Sequence, residues 1–339
     1  MNAADEQPFF LWRHLNRLRW LTLSLVFALL VLLPFLHLYQ TYVAAHAYDF
    51  LAPGERLIYD AMEWLTGPFT SDPARDLDAI KGTTWSGNFF GLALSDPLAL
   101  AGHIAASLSL HWAFVLSALI PVVATIIFGR FFCGWICPAT FIYELNETFA
   151  AWLRRAGVPL GDRRLSKRLK YVVLGAGLVL CAVSGSVIFA AIYPPALVGR
   201  EIYYAIAQGG FGVGAVFFLL TLLFDLLVAR RGFCRYLCPG GALYSLLGRY
   251  RLFRIRRIVH NCNDCVKCNV VCEFGLDPMR DGFGQECNNC SACIAVCPVD
   301  ALTFKVGVRD DPAQGPGHQG SAYRRRRQRE DESDTGAAA

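Results

Sequence analysis

Hydrophobic residues in this chain are gathered into four long runs, separated by segments rich in proline, polar or basic residues. A helix that crosses a bilayer needs about 20 predominantly apolar residues. The runs that meet this length are 20–39, 110–128, 171–193 and 211–229. The pattern therefore predicts four membrane helices. The first run is too long for a cleaved signal and is not followed by a small-residue cleavage site.

Basic residues are distributed unevenly between the loops that join these runs. Residues 129–170 contain eight Lys or Arg and residues 230–257 another eight, whereas residues 41–109 contain three and residues 194–210 one. Because loops rich in Lys and Arg remain in the cytoplasm, we expect a multi-pass protein of a bacterial inner membrane with both termini in the cytosol. This topology explains the net charge of +5 without a nucleic-acid partner.

The polar segments divide the chain into predicted parts. These are a cytosolic N-terminus at 1–19, a membrane domain at 20–254 with an outer-face insertion at 41–109, a cysteine-rich domain at 255–305 and a disordered tail at 306–339. The tail is rich in Gly, Pro, Arg and acidic residues and has too little apolar surface to fold. An amphipathic helix near residues 55–65 favours a cap packed on the helix ends, with a docking surface as the alternative.

The strongest chemical signal is a pair of four-cysteine runs, each spaced C-x2-C-x2-C-x3-C. The runs are Cys262, Cys265, Cys268 and Cys272, then Cys287, Cys290, Cys293 and Cys297. In proteins with two [4Fe-4S] clusters, the fourth cysteine of each run binds the other cluster. The predicted ligands are Cys262, Cys265, Cys268 and Cys297 for cluster 1, and Cys287, Cys290, Cys293 and Cys272 for cluster 2. Structural zinc usually takes two well-separated cysteine pairs instead, and a reducing cytosol argues against disulfides.

An internal repeat is the second signal. The segment 130–138, RFFCGWICP, reappears 101 residues later as RGFCRYLCP at 231–239. Each copy follows an apolar run, so the membrane core is predicted to be a duplicated two-helix unit. The repeated C-x3-C-P elements supply four thiols, Cys133, Cys137, Cys234 and Cys238. An additional metal or Fe–S centre, a redox-active dithiol and two purely structural turns all remain open for these thiols.

Taken together, these features resemble the NapH-type membrane ferredoxins, the quinol dehydrogenase component of periplasmic nitrate reductase systems. The resemblance covers residues 10–305. It departs in the longer outer insertion, in the predicted disordered tail and in Glu273, which stands where a proline follows the first cysteine run. It also rests on the local segments Leu94–Leu98, Ile192–Arg200, Leu223–Val228 and Gly241–Tyr244. It implies that the substrate is the membrane quinol pool, and that a partner periplasmic ferredoxin or multihaem cytochrome carries electrons to a periplasmic reductase.

Two residues are candidates for proton or quinol chemistry. Asp225 lies within the fourth apolar run, where an acid is a functional candidate by default. An ion pair with Arg230 or Arg231 is its structural alternative. His111, near the outer end of the second run, is either a quinol ligand or a hydrogen-bonded histidine at the membrane interface.

Other roles stay open beside quinol oxidation. Copper-reducing assembly factors of respiratory oxidases share the spans, the C-x3-C-P elements and the clusters, but carry a further outer domain. NosR-type proteins of nitrous oxide reduction carry a flavin-binding outer domain, and a membrane anchor would use its clusters only to hold a partner. The expected fold is an all-α membrane protein of four transmembrane helices, with a small α+β cytosolic ferredoxin-like domain.

Overall fold

The computed structural model describes residues 9–70, 72–77, 80–83, 86–89, 91–161, 163, 165–280 and 282–307. From residue 308 onward, the predicted tail lies outside the described residues. The chain divides into two compact units. The first comprises residues 1–22, 124–135 and 244–339, and the second residues 23–123 and 136–243.

Helices make up most of the secondary structure. In chain order they are α1 Phe9–Ala44, α2 Pro53–Thr66, α3 Pro73–Asp76, α4 Pro97–Ser107, α5 Trp112–Phe128, α6 Phe131–Trp135, α7 Pro138–Arg155, α8 Leu169–Ser184, α9 Phe189–Ile192, α10 Pro194–Ala207, α11 Val213–Leu227, α12 Pro239–Leu247, α13 Lys267–Val271 and α14 Ala292–Ala295. A π-helix spans Phe233–Leu237.

The described structure also contains two small antiparallel sheets and several short 3-10 helices. The strands are β1 Ile80–Gly82, β2 Ser86–Phe89, β3 Leu92–Ser95, β4 Phe253–Arg257 and β5 Leu302–Val306. In the second unit the order is β1-β2-β3, and in the first unit β4 pairs with β5. Because β4 precedes the first cysteine run and β5 follows the second, this pairing brings the outer ends of the two runs together.

One helix in the described chain, His14–Ala44 within α1, is long and apolar enough to cross a membrane by length and composition. It contains the whole of the first predicted span. Shorter apolar helices of 10–17 residues are α4, α5, α8 and α11. Of these, α5 and α11 agree closely with the second and fourth predicted runs, whereas α4 and the less apolar α10 were not predicted.

The third predicted span, 171–193, is not one continuous helix. Helix α8 ends at Ser184, and Gly185 takes the left-handed conformation with φ of 65°. Its N–H donates to the Cys181 carbonyl at 2.9 Å. Glycine adopts this helix-ending geometry without the steric cost that other residues meet. The apolar run therefore divides between α8, α9 and the turn that precedes α10.

The amphipathic helix predicted in the insertion is present as α2, but its apolar face is only partly covered. Ile58 and Met62 are half-buried, whereas Leu57 and Leu65 are exposed. The exposed fractions of Leu57 and Trp64 are 72% and 81%. Within the described insertion, the face thus divides into a packed half and an open half.

A buried set of contacts in the second unit joins the starts of three helices. The Asp96 carboxylate accepts a hydrogen bond from the Leu98 N–H at 2.7 Å, which caps α4. It also accepts one from the Tyr193 hydroxyl at 2.9 Å, just before α10. The Tyr193 ring lies against Gly240 in α12, where a side chain would overlap the ring. The segments 94–98 and 192–200 are thus coupled through a buried carboxylate.

We expect Gly240→Ala to destabilise the protein by about 1–3 kcal/mol, because the added methyl group must displace a buried tyrosine ring. Gly175→Ala is the matched control, since a Cβ at this position of α8 meets no atom within 4 Å. Alanine there should be neutral or stabilising by up to about 1 kcal/mol. Thermal unfolding in detergent would measure both changes. Equal midpoints for the two variants would contradict the contact with Tyr193.

Candidate functional site

Four cysteines of the first unit line one small cavity. They are Cys262, Cys265, Cys268 and Cys297, and Arg257 lies beside them. The pKa of the Cys268 thiol is raised to about 12, first by burial and then by the neighbouring Cys262, Cys297 and Cys265 thiols. The structure thus brings together the four cysteines that the spacing predicts as ligands of cluster 1.

The other four cysteines form a second group. Burial raises the pKa of the Cys293 thiol well above its ordinary value, and Cys290, Cys287 and Cys272 raise it further. Cys268 of the first group also raises the pKa of the Cys293 thiol. The two groups are therefore neighbours within one unit.

Both cysteine runs bend through the same backbone geometry. In the first run, Asp264 and Val266 have φ of 52° and 64°, and at the matching positions of the second run Asn289 and Ser291 have φ of 53° and 59°. Left-handed conformations are uncommon for residues other than glycine, and a valine there is an outlier. Such strain persists only where the surrounding structure enforces it, and it concentrates at ligand sites. The two loops are therefore equivalent in geometry as well as in spacing.

These groups fit cubane clusters. Within the described part of the chain, no three Cys, His, Asp or Glu side chains converge closely enough to hold a single metal ion. A [4Fe-4S] cube makes a different demand, because its four cysteines each bind a separate iron. The Ala301 N–H also donates to the Cys297 sulfur at 3.2 Å. Hydrogen bonds to sulfur are among the features that tune such clusters.

Positive side chains lie beside both groups. The Arg257 guanidinium is 3.7 Å from Asp264 Oδ1 and is almost fully buried. Burial raises the pKa of the Cys290 thiol to about 12, and the positive charge of Arg19 opposes that rise. Buried cations of this kind favour thiolate over thiol and balance the negative charge of a thiolate-bound cluster.

Within the first unit, residues 130–135, which include the first cysteine of the first C-x3-C-P element, contact the loop of the second cysteine run. Arg130 Nη1 is 2.6 Å from Glu286 Oε2, and both side chains are largely buried. Trp135 Nε1 donates to the Asn289 carbonyl at 3.1 Å. Helix α6, which carries Cys133, is thereby tied to the loop that begins at Glu286. Sequence reasoning missed this pairing because the partners lie about 150 residues apart in the chain.

The second unit holds three thiols of the C-x3-C-P elements close to one another. Cys137 and Cys238 are buried and adopt the same extended conformation before the prolines that begin α7 and α12. Burial raises the pKa of the Cys234 thiol well above its ordinary value, and Cys238, Asp225 and Cys137 add to the rise. The Gly241 N–H donates to the Cys238 sulfur at 3.3 Å. The three thiols thus lie in one region of the second unit, although in the described chain they do not converge closely enough to hold a single metal ion.

Asp225 positions the second C-x3-C segment. Its Oδ1 accepts a hydrogen bond from the Phe233 N–H at 2.8 Å, at the start of the π-helix. Its Oδ2 is buried and has no hydrogen-bond partner in the described chain. π-helical turns are rare and occur frequently at functional sites. A proton-relay role for Asp225 therefore remains a prediction beside this structural one.

The arginines next to Asp225 form ion pairs with helix α7. Arg231 Nη2 is 3.2 Å from Glu144 Oε1. Arg230 Nε is 2.8 Å from Glu147 Oε1. Both glutamates were missed by sequence reasoning, since nothing local links α7 to a segment some 80 residues later.

His111 stands at the start of α5, in an exposed position. Its Nε2 is 3.2 Å from the Ser109 hydroxyl, and its ring lies 5.2 Å from that of His103. This environment agrees with a hydrogen-bonded histidine, and its candidacy as a quinol ligand stays a prediction.

Comparison of the sequence with known proteins shows which family the chain belongs to. A family described as a 4Fe-4S binding domain matches residues 110–156 and 211–259, one match for each copy of the repeat. The methylamine utilization ferredoxin-type protein MauN of Methylorubrum extorquens is 33% identical over 211 residues, which are 61% of this chain and 70% of MauN. No solved structure gives a significant match.

Two ferredoxin-type proteins named NapH are similar to the same extent. The Escherichia coli protein is 33% identical over 62% of this chain and 71% of its own length. The Haemophilus influenzae protein is 35% identical over 60% of this chain and 69% of its own length. The chain is thus an iron–sulfur electron-transfer protein, and it belongs to the family of ferredoxin-type proteins that includes NapH and MauN.

Proposed function

We propose that this protein oxidises quinol in the membrane and passes the electrons through two [4Fe-4S] clusters towards a periplasmic reductase. The observation that carries the proposal is the presence of two neighbouring groups of four thiols in one unit of an iron–sulfur protein. Each cluster, when bound, exchanges one electron at a time. Because a quinol releases two electrons and two protons, a pair of one-electron centres matches the donor.

The proposed ligands follow the two groups of thiols. Cluster 1 takes Cys262, Cys265, Cys268 and Cys297, and cluster 2 takes Cys287, Cys290, Cys293 and Cys272. The mutual proximity of the thiols and the repeated left-handed turns support this assignment.

The proposed location is the bacterial inner membrane, with four spans and both clusters on the cytosolic side. The length and apolar character of α1 support membrane insertion. The excess of Lys and Arg at 129–170 and 230–257 supports the orientation.

A redox partner follows from this topology. The hydrocarbon core is about 30 Å thick, so electrons that reach the periplasm need a carrier beyond the cytosolic clusters. We propose a periplasmic ferredoxin or a multihaem cytochrome for this role. A nitrate reductase-type pathway follows from the resemblance to NapH, whereas MauN, with the same 33% identity, is named for methylamine utilization.

One observation favours a second function, the reduction of copper during assembly of a respiratory enzyme. Cys137, Cys234 and Cys238 share a buried region in the second unit. Thiolates are the preferred ligands of Cu(I), and binding would require these three thiols, which do not converge on one metal ion in this structure, to move closer together. Binding of one Cu(I) per chain that is lost on Cys234→Ser, without loss of cluster iron, would support this function over quinol oxidation.

We expect decylubiquinol or a short-chain menaquinol to bleach the visible absorbance of the clusters in anaerobically purified full-length protein. Quinol oxidation supplies two electrons per molecule, so a slight excess should reduce the higher-potential cluster. Dithionite serves as the control, since it reduces accessible clusters without a quinol site. Complete reduction by dithionite together with no reaction at any quinol concentration would rule out the proposed function.

We expect Cys297→Ser to remove the same cluster as Cys262→Ser, although the two residues lie in different runs. Each variant should retain about half of the iron and sulfide, because the other cube keeps its four ligands. Mössbauer spectra would show which iron signals remain. Cys290→Ser should remove the iron signals of the other cluster. Cys181→Ser, which changes a buried thiol of α8, should leave the iron content unchanged. If Cys297→Ser and Cys290→Ser lost the same signals, the cross-ligation would be wrong.

A further inference from the structure

Helix α2 in the second unit is fastened along one face to the end of α1. The Tyr39 ring of α1 lies 5.0 Å from the Tyr59 ring of α2, in an edge-to-face arrangement. The Tyr42 hydroxyl donates to Glu55 Oε1 at 3.4 Å. Glu55 Oε2 in turn accepts a hydrogen bond from the Ala52 N–H at 2.9 Å, where α2 begins. These contacts hold the first half of α2 against the last two turns of α1.

The level of α2 follows from where these contacts lie on α1. The apolar run of α1 ends at Tyr39, and residues 40–44 form the last turn beyond it. Tyr48, between the two helices, also contacts Tyr59, with the ring centroids 5.0 Å apart. Tyrosine and tryptophan collect at the boundary between hydrocarbon and water. The tyrosine contacts therefore hold α2 at the level where α1 leaves the hydrocarbon.

Helix α2 has three distinct faces, each about a third of its circumference at 3.6 residues per turn. One face is buried or half-buried and carries Glu55, Ile58, Tyr59, Met62 and Thr66. The second is exposed and charged, and it carries Arg56, Asp60 and Glu63. The third is exposed and apolar, and it carries Leu57, Ala61, Trp64 and Leu65. We call this third face the apolar stripe of α2.

Large apolar side chains are exposed at both ends of α2 as well as on the stripe. Phe50, just before the helix, is 90% exposed, and Phe69, just after it, is 85% exposed. Among the described residues of α2, the stripe contains no Asp, Glu, Lys or Arg. Apolar surface of this extent marks a contact with another protein or with a membrane.

The position of the stripe favours lipid over a protein partner. Because α1 is long and apolar enough to cross a membrane, lipid surrounds the level at which α2 is held. A redox carrier docks only for the time of electron transfer and leaves the surface in water between encounters, whereas lipid covers it continuously. Helices that lie in a membrane interface combine a face bearing Trp, Phe or Leu with a charged face. Helix α2 has both.

The charged face indicates which lipids the helix accepts. Interfacial helices that depend on anionic lipids carry Lys and Arg on the polar face. The charged face of α2 instead has one basic residue, Arg56, and two acidic ones, Asp60 and Glu63. Electrostatic attraction to anionic headgroups is therefore absent from this face, and the apolar stripe supplies the contact with a neutral phospholipid surface.

We propose that α2 is an interfacial anchor that lies in the outer surface of the bilayer, with Leu57, Ala61 and Trp64 towards the acyl chains and Glu63 towards water. This inference rests on the proposed location in the membrane and is independent of quinol oxidation. The anchor fixes the level at which α1 leaves the bilayer, because the tyrosine contacts couple the two helices.

Photo-crosslinking of the full-length protein in dioleoylphosphatidylcholine nanodiscs tests this proposal. Ala61→benzoylphenylalanine places the probe on the apolar stripe, and Glu63→benzoylphenylalanine is the matched control. The two positions are exposed and lie about 200° apart around the helix. Mass spectrometry should show at least roughly fivefold more phospholipid adduct at position 61 than at position 63. In dioleoylphosphatidylglycerol the yield at position 61 should stay within about twofold, because the charged face has no excess of positive charge.

A probe on α1 separates this proposal from the proposed location. Leu29, which is 47% exposed within the apolar run of α1, should capture phospholipid when it is replaced by benzoylphenylalanine. If position 29 captured lipid but positions 61 and 63 gave equal yields, α2 would not be an anchor while the membrane location would stand. If neither position 29 nor position 61 captured lipid, the location and the anchor would both be wrong. Capture of another protein or of a second copy of this chain at position 61 in intact cells, in place of lipid, would also overturn the proposal.

Discussion

The paired left-handed bends of the cysteine runs are the constraint on which the first unit depends. A valine held in this conformation, as at Val266, carries strain of the order of 1–3 kcal/mol that the surrounding structure must enforce. The β4–β5 ladder closes the same unit and is continued by one further bond, in which the Ile258 N–H donates to the Ala301 carbonyl at 2.7 Å. Because β4 precedes the first cysteine run and β5 follows the second, this pairing places Cys297 beside Cys262. The strand pairing thus accounts for the position of Cys297 in the same small cavity as Cys262, Cys265 and Cys268.

Buried charge is the second organising feature of the molecule. Arg130 and Arg231 occupy equivalent positions in the repeat, and both are almost fully buried. Each pairs with a glutamate of its own unit, Arg130 with Glu286 and Arg231 with Glu144. Removing one partner of such a pair leaves an uncompensated buried charge, at a cost of about 3–5 kcal/mol. The repeated arginine therefore anchors the start of each C-x3-C-P element within its own unit.

The sequence was most informative where spacing alone dictates geometry. The cysteine runs predicted the two groups of thiols that the structure brings together, and the repeat predicted the two segments that the family model matches. It was least informative where one glycine decides the outcome, as at Gly185, which interrupts the third apolar run.

The central claim is that two [4Fe-4S] clusters lie side by side on the cross-paired cysteine groups. Electron paramagnetic resonance of the fully reduced, anaerobically purified protein tests it most directly, because two reduced clusters in neighbouring sites interact magnetically. The account predicts a broadened spectrum with spin–spin coupling, which simplifies to that of an isolated cluster when one cube is removed by Cys297→Ser. A spectrum that is the sum of uncoupled clusters, or a protein that contains zinc in place of iron, would contradict it.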